Sequence, residues 1–293
     1  MDGVIVADKP EGWTSHDVVA KMRRLANTRK IGHLGTLDPM ATGVLPLVIG
    51  KATRLAQFYM HGDKTYDAVI RFGYATDTYD KEGTPTTPAT EPKLSRELLE
   101  ESLDAFRGLI LQTPPPISAK KINGVPAYRL ARKNLPVDLK PVEVTVRSID
   151  LMNVDGAEAR VVVRCSAGTY LRSIAHDLGV KLGCGAFLQS LRRTAAGEFS
   201  IGQAKTLEDL TKLSAENRLA ETLVPAAQLL PDFPAETVDT LTASQIRQGR
   251  DFRVSPFRAT PGTKYVKAVT QEGELIAIGE IRMPHLYHPF LVF

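Results

Sequence analysis

GHLGTLDPMATGVLPL, residues 32–47, is the stretch on which the reading of this chain turns. One carboxylate, Asp38, stands among glycines and threonines and is followed by Pro39. Gly32, Gly35 and Gly43 permit close backbone approach and φ angles closed to other residues. Pro39 steers Asp38 toward extended backbone and away from helix. Together they would hold a carboxylate at the mouth of a cleft. Asp-Pro is also a common turn former, so a turn or capping role is the plain reading of Asp38 taken alone. The glycines match no nucleotide fingerprint: GxGxxG and the GxxxxGK phosphate loop are both absent. Residues 44–49 that follow have the composition of a strand.

Upstream, GVIVA at 3–7 reads as a strand that ends in the turn Asp8-Lys9-Pro10. Ser15 is expected to cap a helix from about His16, with Val18, Val19, Met22 and Leu25 on its apolar side. Downstream, residues 51–59 are expected to be helical. Residues 65–74 alternate as a strand, with Tyr66, Ala68, Ile70 and Phe72 facing one way. Residues 76–92 have loop composition, and residues 95–106 form an amphipathic helix capped by Ser95. TPPP at 113–116 excludes a helix interior. Strands are expected at 142–152 and 158–165, the second leading through Ser166-Ala167-Gly168 into a helix over about 170–182. This mixture is α+β. Two prolines and several acids near 228–240 mark a domain boundary, after which KYVKAVT and ELIAIGEI suggest a small β-rich module.

The length of 293 residues supports one large domain and one small one, and the net charge of +4 permits an anionic partner. Cys165 and Cys184 lack CxxC spacing and read as reduced core residues. The start, MDGVIVADKP, has neither the basic region nor the apolar run of a signal peptide. The apolar run at 44–49 is too short to span a membrane. A soluble cytoplasmic protein is therefore expected.

Three further stretches carry chemistry. Tyr66 at a strand entrance is either packing or an aromatic face for a planar base. Arg172, in GTYLRS at 168–173, falls in a first helical turn, where a cation opposes the helix dipole. It fits better there if it pairs with a fixed carboxylate or phosphate. ISAKKINGVPAYRLARK at 117–133 contains Lys120, Lys121, Arg129, Arg132 and Lys133 and no acid. That charge, with Asn123 and Tyr128 interleaved, favours a nucleic-acid-binding arm over a merely solvated face. Ser190-Leu191-Arg192-Arg193-Thr194 reads as a second basic spot. His16, His33 and His176 lack the spacing of a metal motif, and no metal or other cofactor is expected.

Taken in order, these stretches resemble the bacterial tRNA pseudouridine-55 synthases of the TruB type. The resemblance rests on KPEGWTS at 9–15, GHLGTLDPMATGVLPL, KTY at 64–66, TDTYDKEG at 76–83, PPPISAKKINGVPAYRLAR at 114–132, GTYLRS and LRRT. It covers about residues 3–200. It implies a pseudouridine synthase fold: a mixed, largely antiparallel sheet around a central cleft. A catalytic domain over 1–230, a basic arm at about 113–140 and a PUA-like RNA-binding module over 231–293 follow from it.

The resemblance also implies isomerisation of a uridine in the T loop of tRNA, with the base flipped out of its stack. Asp38 is then the catalytic carboxylate, attacking C1′ or abstracting a sugar proton; the residues leave both routes open. Arg172 pairs with it, and Asp80 is expected to pair with a basic residue near the cleft. Tyr66 stacks on the base, His33 holds the loop, and Tyr170 and Leu191 shape the pocket. Lys120, Lys121, Arg129 and Arg132 take RNA phosphates. A monomer with no guide RNA and no membrane contact is expected. The rival readings are an RNA chaperone, a synthase acting on another RNA, and a glycosidase. A chaperone has little need of a carboxylate facing an anionic ligand, and a glycosidase normally wants a second opposed acid.

Overall fold

The computed structural model of the chain describes residues 1–118, 121–122, 125–126, 139–260 and 262–293. Lys120, Asn123, Tyr128, Arg129, Arg132 and Lys133 lie outside the described residues, and Lys121 is described only as strand backbone.

In chain order the strands begin with β1 (Gly3–Lys9), β2 (Ile31–His33), β3 (Thr42–Ile49), β4 (Lys64–Phe72) and β5 (Gly108–Gln112). The short pair β6 (Lys121–Ile122) and β7 (Val125–Pro126) precedes β8 (Val142–Asp155), β9 (Glu158–Cys165) and β10 (Ala186–Ala196). Three small pieces follow: β11 (Phe199–Ser200), β12 (Lys205–Thr206) and β13 (Leu223–Pro225). Apart from β6 and β7 they form one 11-stranded sheet with the spine β12-β1-β3-β10-β4-β9-β8-β5. Its helices are α1 (Ser15–Leu25), α2 (Ala56–Tyr59), α3 (Arg96–Asp104), α4 (Leu171–Lys181) and α5 (Leu207–Ala215).

The strand patterns follow from what covers each face. Residues 3–7 of β1 and 43–49 of β3 are apolar because both faces are covered. Ile5, Ala7, Leu45 and Leu47 pack on α1 and α5. Val4, Val6, Val44 and Val48, on the other side, join a cluster with Phe199, Leu229 and Ile278. β4 alternates, with Tyr66, Ala68, Ile70 and Phe72 buried against α3 and α4. Its other face carries Asp67 and Arg71, paired across the ladder with Arg160 and Glu158 of β9.

Two local expectations are corrected. The cap of α1 is Thr14, which forms a capping box with Asp17; Ser15 is the first helical residue and its hydroxyl points elsewhere. Residues 51–59 are a 3₁₀ segment, Gly50–Leu55, leading into the single turn of α2.

A second sheet of five strands, β14 (Ala235–Val238), β15 (Phe252–Arg253), β16 (Tyr265–Thr270), β17 (Leu275–Met283) and β18 (Leu286–Val292), is covered by α6 (Thr240–Arg247). It meets the main sheet through an apolar layer in which Phe58 packs edge-on against Phe233 and Tyr265. Lys267 of β16, almost wholly buried, ties the junction by donating to the carbonyls of Ala227 and Leu229.

The feature that positions the site is the junction of β3 with β10. It is a short parallel pairing, Arg192 opposite Thr42 and Arg193 opposite Gly43, in a largely antiparallel sheet. The Asp38 loop enters β3 at that point. α4 leans on β10 and β4 from the same side, brought close by Gly179, where a Cβ would lie 2.1 Å from the Ala186 nitrogen. Gly179→Ala should therefore force α4 away from the sheet. The expected cost is about 3 kcal/mol, a fall in Tm of roughly 6–10 °C by calorimetry. An unchanged Tm would mean the helix shifts at no cost.

Candidate active site

The site is built from the loop backbone outward. Three buried side chains from distant parts of the chain hold residues 35–39. Ser15 Oγ accepts a hydrogen bond from the Leu37 amide at 2.8 Å and lies 3.2 Å from the Leu37 carbonyl. Lys9 is 0% exposed, and its ammonium donates to the carbonyls of Pro10, Trp13 and Pro39 at 2.9, 2.6 and 3.1 Å. Burial lowers its pKa to about 8, opposed in part by the Asp38 carboxylate. Arg193, 1% exposed, donates to the carbonyls of Val44 at 2.7 Å, Gly35 at 3.0 Å and Thr36 at 3.4 Å. Gly43 has φ +100, and a Cβ there would lie 2.2 Å from the Arg193 carbonyl.

Asp38 is left with its carboxylate at the cleft. Arg172 Nε stands 2.9 Å from Asp38 Oδ2, but its N–H does not point along that line. The contact is a close ion pair and not an aligned hydrogen bond. Arg172 Nη1 lies 3.4 Å from Asp80 Oδ2 and donates to the Thr78 carbonyl at 3.1 Å, and Nη2 donates to the Ile117 carbonyl at 3.0 Å. Exposure separates the two acids: the Asp38 side chain is 35% exposed, those of Arg172 and Asp80 only 5% and 6%. Asp80 Oδ1 is occupied by the Thr78 hydroxyl at 2.6 Å and the Glu82 amide at 3.1 Å. The loop returns through Gly83, where a Cβ would strike Thr78 Oγ1.

α4 begins at Leu171 with no side-chain cap. The amide of Gln112 instead clamps the Tyr170 backbone, accepting from its nitrogen at 2.8 Å and donating to its carbonyl at 3.0 Å. Arg172 is thereby placed in the second helical position facing the cleft. Beside Asp38 lies a space of about 90 Å³ lined by Tyr66, Tyr170, Leu191 and Arg172. A larger cavity of about 540 Å³ adjoins it, sharing Tyr66 and Tyr170 as its wall and bounded beyond by His33 and Lys64. Burial raises the phenol pKa of Tyr66, whose hydroxyl faces Arg193, and that of Tyr170. Burial, then the neighbouring His16 and Arg193, lowers that of His33, so the imidazole is neutral at pH 7.

The structure thus brings Asp38, Tyr66, Tyr170, Arg172 and Leu191 around one space, with His33 on the adjoining cavity. The expected basic spot at 190–194 is not a free patch. Arg193 is internal, and Arg192 pairs with Asp8 at 2.7 and 3.1 Å. Sequence reasoning missed Lys9, Ser15 and Arg193 as holders of the loop. Their signal was present only as membership in KPEGWTS and LRRT. Among the described residues no group of three His, Cys, Asp or Glu side chains is placed to hold a metal ion. No helix there is long and apolar enough to cross a membrane.

The crystal structure of a Cbf5-Nop10-Gar1 complex matches with a TM-score of 0.72 at 29% identity, covering 97% of this chain and 79% of that one. The structure of an H/ACA RNP bound to a substrate RNA containing 2′-deoxyuridine matches with a TM-score of 0.73 at 25% identity, covering 99% and 84%. A family model for the N-terminal domain of TruB family pseudouridylate synthases matches residues 23–171, and one for the C-terminal domain of tRNA pseudouridylate synthase B matches residues 172–231. The tRNA pseudouridine synthase B of Solibacter usitatus is 60% identical over 292 residues, 100% of both chains. That of Aquifex aeolicus is 42% identical over 96% of each. The chain belongs to the TruB family of pseudouridylate synthases.

The Lys9 cage makes a testable claim about the loop. Lys9→Met leaves the Pro10 and Trp13 carbonyls without their ammonium donor and the Pro39 carbonyl with the Gly12 amide alone, at an expected cost of about 2–4 kcal/mol and a Tm lower by roughly 5–10 °C. Pseudouridine formation below the melting range should also fall, by about tenfold or more, as the loop loosens. A variant that melts and turns over like the parent would show that the ammonium does not seat the loop.

Proposed function

We propose that this chain isomerises uridine-55 in the T loop of tRNA to pseudouridine, with Asp38 as the catalytic carboxylate. The observation that carries this reading is a partly exposed acid, alone at the floor of its space among the described residues, 2.9 Å from a buried arginine and walled in by two tyrosines and a leucine. The reaction breaks the C1′–N1 bond, turns the uracil and joins C1′ to C5; the hydrogen of C5 is given up and N1 gains one. Nothing is oxidised, and no group enters from outside. One carboxylate suffices either as nucleophile at C1′ or as base on the sugar.

The remaining residues divide the work. The base leaves its stack and enters the cleft, at an unstacking cost that contacts in the pocket offset. Tyr66 stacks on the uracil, Leu191 packs against it, and Tyr170 closes the other side. His33, neutral and backed edge-on by His16 at 5.7 Å between ring centroids, holds the loop once the base is flipped out. Arg172 orients Asp38 and balances its charge. Lys120, Lys121, Arg129 and Arg132 bind phosphates of the T arm, the module beyond residue 230 extends the RNA surface, and the enzyme acts as a cytoplasmic monomer without a guide RNA.

Asp38→Asn should bind unmodified tRNA within about threefold of the parent, yet form pseudouridine at least ~10³-fold more slowly, read by nucleoside mass spectrometry. Product at the parental rate would remove Asp38 from the mechanism. Replacing Lys120, Lys121, Arg129 and Arg132 together by Gln should weaken binding and flatten its dependence on log[salt] by about 0.7–0.9 for each phosphate no longer neutralised. An unchanged slope would take the arm off the RNA backbone.

A further inference from the structure

One aromatic contact lies immediately behind the site and has no part in the proposed chemistry. Tyr79 and His176 stack with ring centroids 3.7 Å apart and planes 11° from parallel. Two local costs accompany it. Tyr79 adopts φ +64, a left-handed conformation unfavourable for a bulky residue. The His176 Nδ1 is buried with no hydrogen-bond partner among the described residues. Strain of this kind persists only where the surroundings impose it.

The positions of the two residues supply the reason. Tyr79 stands between Thr78 and Asp80, the two loop residues that contact Arg172 Nη1. His176 is four residues after Arg172 in α4, one turn along the same helical face. Helix, guanidinium, loop and stacked rings therefore close a ring of contacts. The loop is pinned on its other side by β10, where the Leu188 amide donates to the Tyr79 carbonyl at 3.0 Å and the Lys81 amide to the Leu188 carbonyl at 3.1 Å. The β10 contacts fix the height of the loop on the sheet, and the stack fixes its distance from α4. Across that gap Asp80 Oδ2 lies 3.4 Å from Arg172 Nη1.

We propose that the Tyr79–His176 stack is a positioning clasp that seats Asp80 and Thr78 on Arg172 and, through Arg172, aims the Asp38 carboxylate. The inference rests on the proposed roles of Asp38 and Arg172. Neither Tyr79 nor His176 lines the reacting space; each acts through the guanidinium.

The test uses the full chain, unmodified tRNA, and single-turnover rates measured beside binding affinity and Tm. Tyr79→Gly suits the φ of this position and removes the ring, so Tm should stay level or rise while the rate falls about 10- to 100-fold at unchanged tRNA affinity. His176→Ala should give the same loss, and the double variant no more than either alone, because both remove one contact. Tyr79→Phe and His176→Phe keep the stacked rings and should stay within about twofold of the parent. A Tyr79→Gly rate equal to the parent's overturns the clasp, as does a rate loss accompanied by weaker tRNA binding and a lower Tm, which a general loosening would give. Asp38→Asn run in parallel separates the two assignments. If it is inactive, the Tyr79 result judges the clasp alone; if it is active, the site reading fails and the clasp with it.

Discussion

The whole arrangement depends on where a buried arginine, with no carboxylate partner among the described residues, finds its hydrogen bonds. Arg193 lies in the centre of the main sheet, at the parallel pairing of β3 with β10. A buried guanidinium is tolerated only when its N–H groups are satisfied. Inside a continuous ladder the backbone carbonyls are already taken. The Asp38 loop leaves the ladder, so the carbonyls of Gly35 and Thr36 are free to accept, and Val44 at the strand entrance adds a third. The loop is thus shaped as the acceptor of an arginine from β10. Because Leu191 sits two residues before Arg193, on the same inward face, the leucine and the Asp38 carboxylate come to one space. Gly43 is needed at the crossing, where the Arg193 carbonyl leaves no room for a side chain.

Much of this was legible in the sequence where one face of an element meets one kind of neighbour. β4 shows its buried side as a strict alternation, and α4 shows its own as Leu171, Ile174, Ala175 and Leu178. Arg172 announced itself by opposing the helix dipole, and its environment is an acid on either side. β10 was not legible as a strand. Two bulges, between Leu188 and Ser190 and between Arg193 and Ala195, shift its phase twice and erase the period of two. Its adjacent arginines then resemble a surface patch, although one is internal and the other is paired with Asp8. Lys9 was hidden for a related reason. A lysine at a strand end looks solvated until the carbonyls of a loop some thirty residues away are seen to surround it. Ser15 and Thr14 are both good caps, and only the position of Leu37 decides which hydroxyl is diverted.

Three buried cations hold the site together, and they are engaged in two different ways. Lys9 and Arg193 spend their donors on carbonyls and fix backbone. Arg172 donates to two carbonyls, stands in ion pairs with two carboxylates, and fixes charge. This division bears on the choice between an internal rearrangement and a glycosidic cleavage. A glycosidase would need two acids facing the sugar from opposite sides. The site does contain a second acid, Asp80, but both of its oxygens are occupied and its side chain is 6% exposed behind the guanidinium. It faces the arginine and not the cavity. Among the described residues only Asp38 presents a carboxylate to the space, and the groups around it are phenols and leucine, not a positioned second acid. With one acid facing the space and no opposed partner among the described residues, the arrangement lacks the two-acid geometry of a glycosidase.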